Sequence, residues 1–353
     1  MGKQTTYKTL GLMSGTSLDG LDIAYCEFNL HNDKWLFDIK YGETISYSKE
    51  WKNRLENAPN ISKKELNKLD IEYGHFLGKL SALFIKKHQL KPDLVASHGH
   101  TVFHKPEEGY TLQIGDGEAL QTHLPCPLVY DFRTQDLELG GQGAPLVPIG
   151  DQLLFSEFDA CINIGGFANI SKQMEGQRIA WDICPANIIM NPIAEKLGYA
   201  YDKDGDWAMQ GSLNTKLLNE LNALSFYKQA APKSLGKEWV NENILPILNR
   251  YTILEKDLLR TLVEHISIQI SDSLSDVNGS ILFTGGGVFN RFLIKQIKEK
   301  VEAKVVIPSQ KEIDYKEAMI FAFMGLLRLE NQINVLSSVT GAKYNHSSGK
   351  LIK

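Results

Sequence analysis

The distribution of apolar and polar residues predicts two α/β segments that begin alike, with apolar strands around a glycine-rich turn followed by helices. In the first segment, strands are predicted at Lys8–Met13, Asp22–Asn29, Trp35–Tyr47, Leu94–Ser97 and Leu128–Phe132, and helices at Lys49–Asn57 and Ser62–Leu90. In the second segment, strands are predicted at Ala160–Ile164, Asn169–Gln173, Arg178–Asp182, Ser280–Phe283 and Lys304–Ile307. Its helices are predicted at Ala186–Leu197, Leu213–Leu224, Asn241–Tyr251, Glu255–Val277, Phe289–Glu299 and Tyr315–Asn331.

The pattern restarts after the glycine-rich segment Gly140–Gly143, which we interpret as a hinge. We therefore expect an N-terminal domain at residues 1–135, completed by a C-terminal helix at about 314–353, and a second domain at residues 136–313. Duplication of this kind is similar to the actin-like ATPases and sugar kinases. The predicted fold class is α/β, with two actin-like (ribonuclease H-like) domains flanking an ATP cleft.

Composition narrows the functional classes. The 353 residues are 43% hydrophobic and 23% charged, which is ordinary for a globular protein, and the net charge of -4 provides no basic surface for nucleic acid. We predict no signal peptide and no apolar run near the ~20 residues that span a bilayer. The four cysteines are dispersed, so we expect buried free thiols in a cytoplasmic protein that does not contact membranes.

The turn between the first two strands, Gly11–Asp22, is rich in glycine and hydroxyl side chains. Such a turn points successive N–H groups inward and suits the phosphates of ATP, while carboxylates suit a hydrated Mg²⁺ bound to them. The predicted ATP-binding residues are Gly15, Thr16, Ser17, Leu18, Asp19, Gly20, Leu21 and Asp22, and the predicted metal ligands are Asp19 and Asp22. The alternative interpretation is a polar β-hairpin turn. The stretch is not a Walker A loop, because it lacks the Gly-Lys-Ser/Thr ending.

Two further glycine turns are expected to contact the nucleotide. Gly165 and Gly166, with Asn169, would hold the other side of the phosphates. Gly285, Gly286 and Gly287 would let adenosine lie against the backbone. Each turn taken alone also fits an ordinary strand-to-helix connection.

Three carboxylates, Asp182, Asp136 and Glu317, are candidates for proton chemistry. Asp182 ends a predicted strand, where it would act as a base or simply cap the following helix. Another predicted strand ends at the segment that contains Asp131, Arg133 and Asp136. This segment forms either part of the cleft floor or a surface turn that the aspartates cap. Glu317 stands in the first turn of the last predicted helix, where it would complement the helix dipole or face the substrate.

A polar group after the strand at Leu94–Ser97 suits a sugar pocket. It comprises His98, His100 and Thr101, with Gln113 further along the chain. A zinc site at His98, His100 and His104 is disfavoured, because no carboxylate or thiol recurs at a suitable spacing.

Several motifs together resemble those of the anhydro-N-acetylmuramic acid kinase family. They are Gly11–Gly20, Ser97–Thr101, Leu112–Asp116, Asp131–Arg133 with Asp136, Gly140–Pro148, Asn163–Asn169, Pro232–Ser234, Thr284–Gly287 and Lys316–Ala318. The resemblance runs from about residue 9 to about residue 330. It implies an ATP- and Mg²⁺-dependent kinase that opens the 1,6-anhydro ring of anhydro-N-acetylmuramic acid with water, phosphorylates O6 in cell-wall recycling, and forms a homodimer.

The resemblance also implies residue roles. Asp182 matches the family base, with Asp136 as the second choice, and Glu317 matches a carboxylate near the phosphates and sugar. The predicted sugar-binding residues are His98, His100, Thr101, Gln113, Asp131, Arg133 and Asn187. This chain departs from the family motif at Ile183, Cys184 and Ala186, and at His100, where glutamine is usual. The alternatives are a kinase for another amino sugar and a non-catalytic actin-like nucleotide switch.

Overall fold

The computed structural model describes residues 6–15 and 18–353. Contacts divide the chain into two compact units: unit 1 comprises Met1–Phe155 and Asp314–Lys353, and unit 2 comprises Ser156–Ile313. The division therefore lies after Phe155, whereas the sequence analysis placed it after residue 135. The segment before Phe155 stays with unit 1 because it packs on that unit, as the ring contact of Phe155 with Phe37 shows, with centroids 5.2 Å apart.

Unit 1 is built on one mixed sheet. Its strands are β1 (Thr6–Ser14), β2 (Gly20–His31), β3 (Lys34–Ser46), β4 (Leu94–Lys105), β5 (Tyr110–Ile114), β6 (Leu128–Tyr130) and, near the C-terminus, β12 (Lys350–Ile352). The sheet order is β12-β6-β4-β1-β2-β3, and β5 pairs with β4. The helices are α1 (Lys49–Asn57), α2 (Lys63–Lys87), α3 (Gly117–Gln121), α4 (Thr134–Glu138), α5 (Pro148–Leu154) and α14 (Ser337–Thr340). Helix α13 (Gln310–Leu329) belongs to this unit from Asp314 onward.

Unit 2 has a five-stranded sheet of the order β11-β10-β7-β8-β9. The strands are β7 (Ala160–Ile164), β8 (Phe167–Met174), β9 (Gln177–Pro185), β10 (Ser280–Thr284) and β11 (Lys304–Val306). The helices are α6 (Asn187–Lys196), α7 (Asp206–Gln210), α8 (Thr215–Asn222), α9 (Lys237–Trp239), α10 (Leu245–Leu248), α11 (Glu255–Ser273) and α12 (Arg291–Lys298). A π-helical turn, Val240–Ile244, joins α9 to α10.

The two sheets share one topology. In each, the first strand pairs antiparallel with the second and the second with the third, while the first strand also pairs parallel with the fourth. A further parallel strand extends the sheet beside the fourth, β6 in unit 1 and β11 in unit 2. This repeated order confirms the predicted fold class, a duplicated α/β chain with two actin-like domains.

Strand β4 was predicted too short. It continues through the histidine motif to Lys105, because residues 100–105 pair antiparallel with β5, a strand that the sequence analysis missed. His98, His100 and Thr101 therefore lie on the strand itself and not beyond its end, where the sequence analysis placed them.

The last long helix was also misplaced. It was predicted from Tyr315, but α13 begins at Gln310, where Ser309 and Glu312 form a capping box through the hydroxyl and carboxylate of their side chains. Glu317 consequently lies beyond the first turn. The helix-dipole interpretation of Glu317 was therefore wrong, because the dipole acts within the terminal turn.

Helix α13 lies directly against the unit 1 sheet because glycine occupies the points of contact. A Cβ added to Gly11 of β1 would lie 1.9 Å from the carbonyl oxygen of Ala318, and one added to Gly325 would lie 2.6 Å from the Cβ of Ala96. The helix residues from Ala318 to Leu327 are almost completely buried. Close packing of this kind fixes where the helix carries Lys316 and Glu317.

In the part of the chain that the structure describes, no helix is long and apolar enough to cross a membrane.

Replacing Gly11 by alanine should destabilise unit 1. The added methyl group would overlap the Ala318 carbonyl, and overpacking of this kind costs about 1–3 kcal/mol of unfolding free energy. We expect a lower thermal unfolding midpoint by circular dichroism. Gly286→Ala is the matched control, because an added Cβ there meets nothing within 4 Å. Equal midpoints for the two variants would contradict the packing argument.

Candidate functional site

A row of polar residues crosses the sheet of unit 2 next to its glycine turns. Thr284 pairs with Asn163, Asn163 pairs with Asn169, and Asn169 pairs with Asp182. Directly paired residues point to the same face of a sheet, so these four side chains lie side by side. The sequence-predicted residues Asn169 and Asp182 are thus neighbours on one face.

The turn at Gly165 and Gly166 connects β7 to β8 and also receives the start of α6. The Gly166 carbonyl accepts hydrogen bonds from the N–H groups of Ala186 and Ile188, and the Gly165 carbonyl accepts one from Asn187. The predicted ligand residue Asn187 is therefore held against this turn through its backbone.

The third glycine turn follows β10. Gly285 has φ +83°, and a Cβ there would lie 2.6 Å from the carbonyl oxygen of Ile164. A Cβ on Gly287 would lie 2.2 Å from the side chain of Ile164, whereas Gly286 is exposed with open space around it. Gly285 and Gly287 are needed for the turn itself, and Gly286 presents bare backbone to solvent.

Asp182 is half-buried at the end of the polar row. Its Oδ2 accepts a hydrogen bond of 2.8 Å from the N–H of Leu235, and its own N–H donates to the carbonyl of Lys233 at 2.9 Å. Burial raises the pKa of this carboxyl, and the Leu235 hydrogen bond partly opposes the rise. The alternative interpretation as a helix cap was wrong, because Asp182 lies within β9 and bonds to the Lys233–Leu235 segment.

The predicted phosphate loop lies between β1 and β2 of unit 1. The N–H of Leu18 donates to the carbonyl of Gly15, and Leu18 has φ +58°. Gly20 is needed for packing, since a Cβ there would lie 2.5 Å from the carbonyl oxygen of Ile45. The side chain of Leu21 is buried in the core, so only its backbone could face a ligand. Thr16 and Ser17 lie outside the described residues.

The two predicted metal ligands differ in surroundings. Asp19 is exposed, whereas Asp22 is partly buried and its Oδ1 accepts a hydrogen bond of 2.6 Å from Thr44. Burial raises the pKa of Asp22, and the negative charges of Asp314 and Asp19 add to the rise. Among residues 6–15 and 18–353, no group of three or more His, Cys, Asp or Glu side chains is arranged to hold a metal ion. A metal at Asp19 and Asp22 would therefore need ligands from phosphate and water.

The buried His98 is hydrogen-bonded to the partly buried Arg133. The Nε and Nη2 of Arg133 donate to His98 Nε2 at 3.0 and 2.7 Å, and Nη1 donates to the carbonyl of Gly143 at 2.6 Å. Burial and the adjacent guanidinium hold the pKa of His98 well below its usual range, so it is neutral. Burial also lowers the pKa of Arg133 to about 10, which leaves it charged at neutral pH.

Asp136 anchors the glycine-rich segment Gly140–Gly143 inside unit 1. Its carboxylate is fully buried; Oδ2 accepts from the N–H of Gly143 at 2.7 Å and Oδ1 from the hydroxyl of Thr340 at 2.7 Å. Gly141 must be glycine here, since a Cβ would lie 2.2 Å from Asp136 Oδ2. Both oxygens are occupied, which favours a structural role over that of a base.

Asp131 has a capping geometry. Its Oδ1 accepts from the hydroxyl of Thr134 at 2.6 Å, and its Oδ2 lies 2.9 Å from Lys350 Nζ. The structure therefore agrees with the capped-turn interpretation of Asp131, and any contact with sugar would compete with these bonds.

His100 is the first of a series of hydrogen-bonded, buried polar side chains next to the predicted phosphate loop. Its Nδ1 lies 3.0 Å from the hydroxyl of Ser14, which accepts from Tyr47 at 2.7 Å, and the Tyr47 and Tyr73 hydroxyls are 2.7 Å apart. Burial lowers the pKa of His100 to about 4, so the ring is neutral and Nδ1 can accept a hydrogen bond from the Ser14 hydroxyl. Thr101 and Gln113 lie beyond this chain as paired residues of β4 and β5, with their side chains 3.4 Å apart.

Glu317 faces solvent on α13, next to Lys316. The dense protein around the carboxyl raises its pKa, and the positive charges of Arg133 and Lys316 oppose the rise. Lys316 is itself buried in an ion pair with Asp151, with Nζ and Oδ1 2.7 Å apart. Arg133 and Glu317 thus influence each other electrostatically.

Comparison with known proteins identifies the family. The family model "Anhydro-N-acetylmuramic acid kinase" matches residues 7–353. The chain is 34% identical to the anhydro-N-acetylmuramic acid kinase of Pasteurella multocida (strain Pm70), over 99% of this chain and 97% of the relative. It is also 34% identical to the one from Mannheimia succiniciproducens, over 96% and 97%. The chain belongs to the anhydro-N-acetylmuramic acid kinase family.

A solved structure gives a more distant similarity. A ROK family glucokinase from Streptomyces griseus in complex with glucose and AMPPNP matches with a TM-score of 0.41 and 11% identity, covering 90% of this chain and 99% of that chain. At that distance the similarity supports no statement about this chain.

Membership of the anhydro-N-acetylmuramic acid kinase family agrees with the resemblance found in the sequence. The sequence analysis did not predict two partners of the candidate residues, Leu235 at Asp182 and Thr340 at Asp136. Leu235 directly follows the family motif Pro232–Ser234, which was a signal that the segment matters, although nothing local joined it to Asp182. Thr340 carried no signal at all, because it stands 204 residues from Asp136.

The buried neutral His100 predicts a loss of stability in acid. Its pKa is about 4 in the folded protein against 6.5 when unfolded, so the unfolded chain binds more protons between these values. Stability from this group is complete above pH 6.5 and falls as the pH drops toward 4, by roughly 2–3 kcal/mol. Urea unfolding measured across that pH range should show a smaller loss of unfolding free energy for His100→Gln than for the wild type. His31→Gln, at an exposed strand end, is the control and should keep the wild-type slope.

Proposed function

We propose that this protein uses ATP to open the 1,6-anhydro ring of anhydro-N-acetylmuramic acid and to phosphorylate its O6, giving N-acetylmuramic acid 6-phosphate in cell-wall recycling. It is a phosphotransferase of the anhydro-N-acetylmuramic acid kinase family, which the family match across residues 7–353 establishes. The observation that carries the mechanism is the half-buried Asp182, held at one oxygen and placed at the end of the polar row.

Asp182 is proposed as the base that activates water. A base must accept a proton near neutral pH, and burial moves the pKa of Asp182 upward in that direction. Oδ2 is engaged by Leu235, and within the described residues no hydrogen bond reaches Oδ1, so Oδ1 is free to take the proton. Asp136, the second choice from the sequence, is less suited because it is fully buried with both oxygens bonded.

The remaining predicted residues are proposed as ligand contacts. In unit 1, the loop from Gly15 to Asp22 would bind the phosphates of ATP, with Asp19 and Asp22 facing a hydrated Mg²⁺ that neutralises phosphate charge. In unit 2, Gly165, Gly166 and Gly286 would offer bare backbone to the nucleotide. The positive charge of Arg133 acts on the Glu317 carboxyl and opposes the rise in its pKa. Arg133 would bind a polar group of the sugar or a phosphate.

The departures from the family motif at Ile183, Cys184 and Ala186 do not support another amino sugar as the substrate. Ile183, Cys184 and Ala186 are all buried in the core cluster of unit 2. Their side chains therefore adjust packing, and they do not line a surface that would select a different sugar. The non-catalytic switch is not favoured, because the family match supports a kinase and the half-buried Asp182 supports a base at this position.

Two further properties are proposed from the family and the chain itself. We expect a homodimer, as the resemblance implies. We also expect the cytoplasm as the compartment, since the substrate ATP is there and the four cysteines are free thiols, three of them buried.

ADP release under three conditions tests the substrate. With anhydro-N-acetylmuramic acid and MgATP we expect turnover, whereas N-acetylglucosamine or no sugar should give only background release. Removal of Mg²⁺ by EDTA should abolish turnover, because the phosphoryl charge is then not neutralised. Turnover that does not depend on sugar would instead support the nucleotide switch.

Asp182→Asn tests the base. The amide keeps the size of the side chain, and its oxygen still accepts from the Leu235 N–H, but it does not take up a proton. Loss of a positioned base costs about 10²–10⁴ in kcat, while sugar affinity by calorimetry should change little. Asp136→Asn is the comparison and should mainly lower thermal stability. If Asp136→Asn abolishes turnover while Asp182→Asn leaves it nearly normal, the two assignments are reversed.

A further inference from the structure

We propose that the backbone N–H of Leu235 is a positioning group for the reaction: it holds Oδ2 of Asp182 so that Oδ1 alone receives the proton of the attacking water. This inference rests on the proposed role of Asp182 as base. It adds a group that is 53 residues away along the chain and that contributes no side-chain chemistry.

The segment from Lys233 to Leu235 is joined to Asp182 of β9 by two hydrogen bonds. The N–H of Asp182 donates to the Lys233 carbonyl at 2.9 Å, and the N–H of Leu235 donates to Asp182 Oδ2 at 2.8 Å. One bond therefore fixes the backbone of the base and the other fixes its carboxylate. Together they restrict both the position and the rotation of the side chain.

The segment is itself anchored away from Asp182. Lys233 Nζ donates to the carbonyl of Phe226 at 3.0 Å and lies 4.6 Å from the centre of the Phe226 ring. Phe226 is buried and packs against Trp239, with ring centroids 5.3 Å apart. The N–H of Leu235 is thus presented by a segment that is tied to the core of unit 2.

The proposed step is balanced in atoms and charge. Asp182 Oδ1 takes a proton from water as the water oxygen bonds to the anomeric carbon. The bond from that carbon to O6 breaks, and O6 takes the γ-phosphoryl group of ATP, which leaves ADP. A carboxylate held at Oδ2 by an N–H donor approaches the water in one orientation only, which is the geometric condition for efficient proton transfer.

Few charged or titratable groups of unit 2 face Asp182. Cys184, two residues along β9, is fully buried, and its thiol pKa is raised by burial and by the Asp182 charge, so it is neutral. Lys233 directs its ammonium group to the Phe226 carbonyl, and burial lowers its pKa. Tyr227, which is near Cys184, has a hydroxyl pKa that burial raises, and it is neutral as well. The Leu235 N–H is the one hydrogen-bond donor to this carboxylate among the described residues.

The test removes the N–H and leaves the base in place. Leu235→Pro deletes the donor, and replacement of leucine by its α-hydroxy analogue deletes it as a backbone ester while keeping the side chain. Because a hydrogen bond to the charged form lowers the pKa of a carboxyl, its loss should raise the pKa of Asp182 by about one unit. We expect the acid limb of the kcat–pH profile to move upward by that amount, so that kcat on the limb falls roughly tenfold while the high-pH plateau persists.

Leu235→Ala is the matched control, since it keeps the N–H and shortens the side chain. Its acid limb should coincide with that of the wild type. An unmoved limb in the folded ester variant would overturn the proposal, and so would an equal shift in Leu235→Ala. Circular dichroism shows whether each variant is folded. If Leu235→Pro is not folded, the backbone-ester variant alone tests the proposal.

Different results would contradict the Leu235 proposal and the proposed role of Asp182. If Asp182→Asn is inactive and the ester profile matches the wild type, Asp182 remains the base and the Leu235 proposal is wrong. If Asp182→Asn is active, the proposed function of Asp182 fails first, whatever the ester variant shows.

Discussion

The contact of α13 with the unit 1 sheet depends on the absence of a side chain at Gly11. Any larger residue would push the helix away from β1, because an added Cβ would overlap the Ala318 carbonyl. The same helix carries Lys316, buried against Asp151, and the exposed residue Glu317. A position set by backbone packing therefore determines where two charged side chains of a family motif are found. Any role of these two side chains in binding therefore depends on this contact.

Asp136 and Asp182 differ in burial and in hydrogen bonding, and these differences support a structural role for the first and a chemical role for the second. Asp136 is fully buried and gives both oxygens to the Gly140–Gly143 segment and Thr340, so it ties two distant parts of unit 1 together. Asp182 is half-buried and receives one donor among the described residues, which supports its proposed role as the base. Burial without full hydrogen bonding raises a carboxyl pKa, and a base needs that change. The two side chains are of the same type, but they differ in the number of hydrogen-bond donors they receive.

The sequence predicted those parts of the protein that local pattern controls. Alternation and glycine turns located most strands of both sheets, and the restart of the pattern predicted the duplication. Strand β5 was missed because Tyr110–Ile114 is short, and its pairing with residues 100–105 depends on a turn between them. The start of α13 was missed although Ser309 and Glu312 form a recognisable capping box. The partners Leu235 and Thr340 could not be predicted, because long-range packing brings them to Asp182 and Asp136.

Isotope transfer from water tests the central claim, a kinase reaction in which water opens the anhydro ring. A single turnover with MgATP and anhydro-N-acetylmuramic acid in ¹⁸O-labelled water would be quenched rapidly and analysed by mass spectrometry. Authentic product incubated for the same time corrects for exchange at the anomeric carbon. The account predicts one ¹⁸O atom in the sugar portion of the sugar 6-phosphate and none in its phosphoryl group. Label in inorganic phosphate without sugar phosphate, or an unlabelled sugar phosphate, would contradict it.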